Sequence, residues 1–265
     1  MAVGAGVLGA GMVAVAFRRV ASGAVASATG KVATTEPDAP TKPVSVSPGE
    51  AALHRAMRPV ILAAFKQAVG RDPTPAELQY VSAVAWLETN YGTGWPANLR
   101  EAHNWGAVQC DTKREGPDTC VPHQDHDSGG TAFAVGFRRY ASDQDGAADE
   151  IRHVIKVRPR TAAALAEKNP SAYRASYAMR REHYYGGICS TAMKNGVSQA
   201  DAALSFSKPD QNAGTQACAE DTVGQHARIV IRNAQAIAQT LGEPLALRLG
   251  SYADADSWWR SGASA

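Results

Sequence analysis

TPAELQYVSAVAWLETNYGTGWPANLREAHNWGAVQ, residues 74–109, reads as a helix, a glycine- and aromatic-rich turn and a strand start. It opens on Thr74-Pro75-Ala76-Glu77, a capping box with proline at the first helical position. Leu78, Val81, Val84 and Ala85 recur at three- and four-residue steps and so share one helix face. Glu88 continues that face one turn further on. Its spacing therefore directs it with the apolar stripe. Gly92 is the expected C-cap. Asn104-Trp105-Gly106 then opens a strand-like run, Ala107 to Gln109. A carboxyl group in apolar surroundings keeps its proton to higher pH, and general acid chemistry at neutral pH needs such a group. Spacing alone leaves two other readings open. Glu88 could be a surface glutamate on the last turn, or a buried one paired with an arginine.

Outward from this stretch the chain is mostly helical. Ser47-Pro48-Gly49-Glu50 is a second capping box and should start the folded domain. Its helix runs to about Val69, with Pro59 as a potential kink or break. A small β element is expected over about 105–140. Helices follow over about 145–157, 162–168, 171–181 and 223–241, the last closed by Gly242. The fold class is α+β, mostly α. The expected organisation is an apolar segment and flexible linker over 1–46, a domain over 47–242 and a short tail over 243–265. Trp258-Trp259 in that tail either docks on the domain or meets a glycan or partner, and docking is favoured.

Four cysteines bracket two polar loops, Cys110 with Cys120 and Cys189 with Cys218. Three connectivities exist, of which the sequential one is simplest. Disulfides imply an oxidising compartment. The 265 residues are 45% apolar, and 27 basic against 25 acidic residues give a net charge of +2. That balance is no nucleic-acid footprint. Asp125 to Gly129 forms half a calcium loop, but the twelfth position is Gly136 where a glutamate is required. His123 and His126 read as solvated, so neither metal nor cofactor is expected.

The motifs also carry a resemblance. Leu87-Glu88-Thr89 with Gly92, Asn104-Trp105-Gly106, Phe137-Arg138-Arg139-Tyr140-Ala141-Ser142 and Tyr184-Tyr185-Gly186 occur in this order. The pattern resembles the glucosaminidase branch of the lysozyme-like peptidoglycan hydrolases, over roughly residues 60 to 241. The resemblance implies a lysozyme-like helical domain with a small β-hairpin lobe. It implies cleavage of β-1,4 bonds in the N-acetylglucosamine/N-acetylmuramic acid strand, with Glu88 as general acid. Asn104, Trp105 and Gln109 would position the sugar, and Tyr184 or Tyr185 would line the subsite. The family often carries a second carboxylate in the hairpin, where this chain has Asp111, Glu115, Asp118, Asp125 and Asp127. Asp127 is preferred, because it precedes the glycines that would return the chain toward the cleft. A lytic transglycosylase and a non-catalytic glycan-binding module are the competing readings.

Such a substrate implies an extracytoplasmic location. Ala2 to Phe17 is uncharged and apolar, followed by Arg18-Arg19. This segment allows membrane association, an atypical signal or a misplaced start. As an anchor it would leave the domain on the wrong side for peptidoglycan, since its positive charge follows the apolar run.

Overall fold

Both capping boxes form as their sequences require. A computed structural model of the protein describes residues 43–262, except 117, 127–131, 183, 186, 190–202 and 205–215. Helix α1 (Pro48–Val69) starts where the Ser47 hydroxyl accepts from the Glu50 amide and the Glu50 carboxylate accepts from the Ser47 amide. It runs unbroken through Pro59 and closes at Gly70, whose φ of 86° needs a residue without a Cβ. Thr74 and Glu77 cap α2 (Pro75–Thr89) in the same way, and Arg71 grips the Glu77 carboxylate with two bonds of 2.8 and 2.6 Å.

The expected apolar stripe on α2 is in fact a whole circumference. Every residue from Ala76 to Ala85 is buried, which makes α2 the central helix. Its polar side chains survive burial because each has a partner. The Gln79 amide donates to the Pro244 carbonyl and accepts from the Ala246 amide, both at 2.8 Å. The Ser82 hydroxyl donates to the Leu78 carbonyl. The helix stops at Asn90, not Gly92. Asn90 and Tyr91 are both left-handed, with φ of 53° and 55°.

After α3 (Ala97–Arg100) comes a three-stranded antiparallel sheet. Strand β3 (Ala132–Arg138) lies between β1 (Gln109–Cys110) and β2 (Cys120–His126), in register Gln109↔Phe137 and Val121↔Phe137. The short α4 (Thr112–Glu115) sits between β1 and β2. Leu99, Ala102, Ala107, Val121 and Phe137 form a small core of their own beneath this lobe.

Helix α5 (Asp143–Ile151) is capped by Ser142 and continues as a π-helical turn, Arg152–Lys156. Helices α6 (Pro159–Ala166), α7 (Ala172–Arg181) and α8 (Gln216–Leu241) complete the main bundle. Here α2 packs on α8, α1 on α5, and α7 on both α6 and α8. Phe65, Tyr80, Val84, Val154, Leu165, Met179 and Val230 fill the shared core. A two-residue ribbon, β4 (Gly187–Ile188) with β5 (Ala203–Leu204), precedes α8.

The folded unit does not end near residue 242. The following segment is held by Gln79, bridges at Arg248 to Ser171, and forms α9 (Tyr252–Arg260) on α7. Arg174 holds Asp254 at 2.6 and 2.9 Å, and Trp258 is buried with its indole N–H donating to Glu167. The Arg160 guanidinium lies 4.2 Å above the Trp259 ring. The tryptophan pair docks. The domain therefore extends through α9.

Cys110 is bonded to Cys120 and Cys189 to Cys218, with sequence separations of 10 and 29. Loop closure alone makes these worth about 3 and about 3.5 kcal/mol. Paired Cys→Ser replacements should lower the free energy of unfolding by about these amounts in urea titrations. Mass mapping of unreduced peptides from exported protein should recover both links, and four free thiols there would refute the pairing. Among the described residues no helix is long and apolar enough to cross a membrane. The apolar segment 2–17 lies outside them.

Candidate functional site

Glu88 sits on the last turn of α2, where the chain leaves the helix through two left-handed residues. The residue is half-buried, and its Oε2 is sealed from solvent without a hydrogen-bond partner. Burial, and then the charge of Glu150, push the Glu88 carboxyl up to about 8.

The turn is fixed from both sides. The Thr89 hydroxyl donates to the Trp105 carbonyl at 2.6 Å and accepts from the Gly92 amide at 2.8 Å. The Trp95 indole donates to the Asn104 carbonyl at 2.7 Å. Tyr91 meets Nδ1 of His54 on α1 at 3.0 Å. Across from Glu88, His103 and Ala107 are also left-handed, each with φ of 50°. Thus all four non-glycine residues with positive φ among those described follow Glu88 closely or bracket Asn104-Trp105-Gly106. Strained backbone of this kind persists where the surroundings enforce it, and it collects at functional sites.

Glu150 of α5 is the residue that sequence reasoning passed over. It is 1% exposed. The Tyr184 hydroxyl donates to its Oε1 in a short bond, while its Oε2 has no partner. A methyl group at Gly106 would lie 1.7 Å from that Oε2, so only glycine leaves room for the carboxyl. The Arg158 guanidinium stands 4.7 Å over the Tyr184 ring. Burial raises the Glu150 carboxyl, against the opposing effect of the Tyr184 bond. Its neighbour Asp149 behaves oppositely. Burial disfavours its charge, but His153, Tyr140 and Arg152 outweigh that and hold it at about 2. Two adjacent carboxyls are thus driven apart by their surroundings, while burial pushes both Glu88 and Glu150 upward.

The Phe137 to Ser142 segment places this helix. The Tyr140 amide donates to the Ala102 carbonyl, its hydroxyl donates to Asp149 at 2.5 Å, and Ser142 caps α5. Gly146 lets α5 close in, because a methyl there would lie 1.7 Å from the His103 carbonyl oxygen. The π-helical turn begins two residues after Glu150. Such turns often accompany sites of function.

Of the expected site residues, Tyr184 bonds Glu150, and Glu88 lies within electrostatic reach of both. Asn104 is held by the backbone. Its amide is consumed by the Val108 and Arg138 carbonyls and the Val108 amide, at 2.8 to 3.0 Å, which pins the turn to the sheet. Trp105 is a core residue, 1% exposed and packed on Tyr91. Tyr185 turns the other way, stacked on His226 at 4.2 Å and donating to the Ser176 carbonyl. Gln109 is half-buried in β1 opposite Phe137. Asp127 lies outside the described residues. Among those described, no three His, Cys, Asp or Glu side chains come together as a metal site. Comparison with protein-family models, curated proteins and solved structures returned no match.

Proposed function

We propose that the protein cleaves β-1,4 glycosidic bonds of the N-acetylglucosamine/N-acetylmuramic acid strand of peptidoglycan, with Glu88 as general acid. One observation carries this reading. Glu88 is a carboxyl at a helix end whose surroundings keep it protonated near neutral pH, on a strained and well-anchored turn. That is the state in which an acid protonates a leaving glycosidic oxygen. The motif resemblance supports the same substrate. The two disulfides suggest an oxidising, extracytoplasmic environment, the compartment that holds such a strand.

A lytic transglycosylase is the second reading. It is favoured by the burial of Glu150, since a sealed carboxyl held by Tyr184 is poorly placed to activate a water on the far face of a sugar. In that route Glu88 acts first as acid and then as base, and no second carboxylate is needed. Digestion of purified peptidoglycan followed by mass spectrometry tests both. New reducing ends are expected for hydrolysis and 1,6-anhydro sugars for the alternative. Intact strands after prolonged digestion would refute both.

A further inference from the structure

We infer that Glu150, gripped by the Tyr184 hydroxyl and pressed against Gly106, is a positioning residue that governs when Glu88 gives up its proton, so that the two carboxyls titrate as a coupled pair. The catalytic meaning of this pair rests on the function proposed above. The coupling itself does not.

The geometry brings the two groups together through one short segment. Thr89, next to Glu88, is bonded to the Trp105 carbonyl. Gly106, next to Trp105, is in contact with the Glu150 carboxyl. Each glutamate leaves one oxygen, its Oε2, buried without a donor. Among the described residues neither is neutralised by an ion pair, unlike Glu77 with Arg71 or Asp149 with Arg152. The titratable groups around Glu150 are Tyr184 and Arg158, with Asp149 and His153 of its own helix segment and Glu88 of α2. Burial, and then the charges of Glu150 and Glu88, keep Tyr184 a neutral donor. Two like charges in one dry site disfavour each other, so the ionisation of one holds the proton on the other.

Tyr184 selects which one ionises first. Its hydroxyl favours the charged form of Glu150, and no comparable donor reaches Oε2 of Glu88. An ionised Glu150 then keeps Glu88 as an acid. Glu150→Gln removes that charge at nearly constant shape. Tyr184→Phe removes only the hydroxyl, which makes Glu150 harder to ionise. Both variants should move the ionisation of Glu88 to lower pH. The expected displacement is about one pH unit for Glu150→Gln and less for Tyr184→Phe.

The test is a carbon-13 NMR titration of protein labelled at the glutamate carboxyl carbon, with Glu88→Gln and Glu150→Gln assigning the two signals. The wild type should show two-step titration of both. Glu88 in Glu150→Gln should show one step, displaced acid-ward. An unmoved Glu88 titration in folded Glu150→Gln and Tyr184→Phe would overturn the inference and leave Glu150 a packing residue. The alkaline limb of kcat/KM on peptidoglycan fragments should move with the NMR signal, an effect that loss of packing alone would not produce. A wild type without cleavage would remove the proposed function, while the NMR titration would still decide the coupling.

Discussion

Glu88→Gln is expected to lower peptidoglycan cleavage by about 10²- to 10⁴-fold while leaving the protein folded. Glutamine preserves the shape and still offers hydrogen bonds, but it has no proton to give. A second signature should appear in stability. The Glu88 carboxyl ionises near 4.5 in a free chain and near 8 in the fold. Its contribution to stability is therefore fully present below pH 4.5 and is lost as pH rises through about 8. Glutamine does not ionise, so the variant escapes that loss, on the order of 2 kcal/mol by pH 7 for a half-buried group. Thermal melts should agree at pH 4.5 and favour the variant at pH 8. Clearing of purified cell walls, read beside circular dichroism, measures the activity. A folded Glu88→Gln that clears walls at the wild-type rate would remove Glu88 as the acid. Melts with wild-type pH dependence would show that its proton is not held.

The parts of this molecule legible in the sequence are those set by local chemistry. Ser47-Glu50 and Thr74-Glu77 are capping boxes because hydroxyl and carboxylate reach backbone amides three residues away, whatever the rest of the chain does. The place of Glu88 on the last turn of α2 was legible for a similar reason, but its direction was not, because α2 is buried on every side and not along one stripe. The C-cap was less so. Asn90 and Gly92 both tolerate the left-handed region, and the bonds from Thr89 and Tyr91 to distant partners decide that the helix ends first. Glu150 left a faint signal, an acid sharing a face with Ala147, Ile151 and Val154. Its meaning depends on Tyr184, 34 residues later, and on the missing side chain of Gly106. Neither contact is local. Asn104 reads two ways from sequence. An amide beside a tryptophan suits a sugar, but an amide between two strands suits the backbone equally well, and only the sheet register shows that its bonds are spent.

Trp105→Ala is expected to destabilise the protein by about 3–5 kcal/mol, the cost of emptying a fully buried aromatic site. The ring is 1% exposed and lies 5.4 Å from Tyr91 at a tilted angle. Gly92 approaches it so closely that a methyl there would stand 3.3 Å from its Cδ1. Its indole N–H donates to Asp143 at 3.3 Å, a long bond that adds little, so packing dominates the loss. Collapse around the cavity is limited, because Tyr91 is held by His54 and the main chain is left-handed at His103 and Ala107, two residues to either side of Trp105. Alanine keeps the Trp105 carbonyl that receives the Thr89 hydroxyl, so the turn loses its filling and not its tether. The melting temperature should fall on the order of 10 °C, and Trp105→Phe should recover a large part of it. A tryptophan that served as a sugar platform would behave differently, with a raised KM and an unchanged melt. Thermal denaturation beside steady-state kinetics separates the two. A Trp105→Ala protein that melts within about 2 °C of wild type, a fall of less than about 1 kcal/mol, and has only weakened glycan binding would place Trp105 in the substrate cleft.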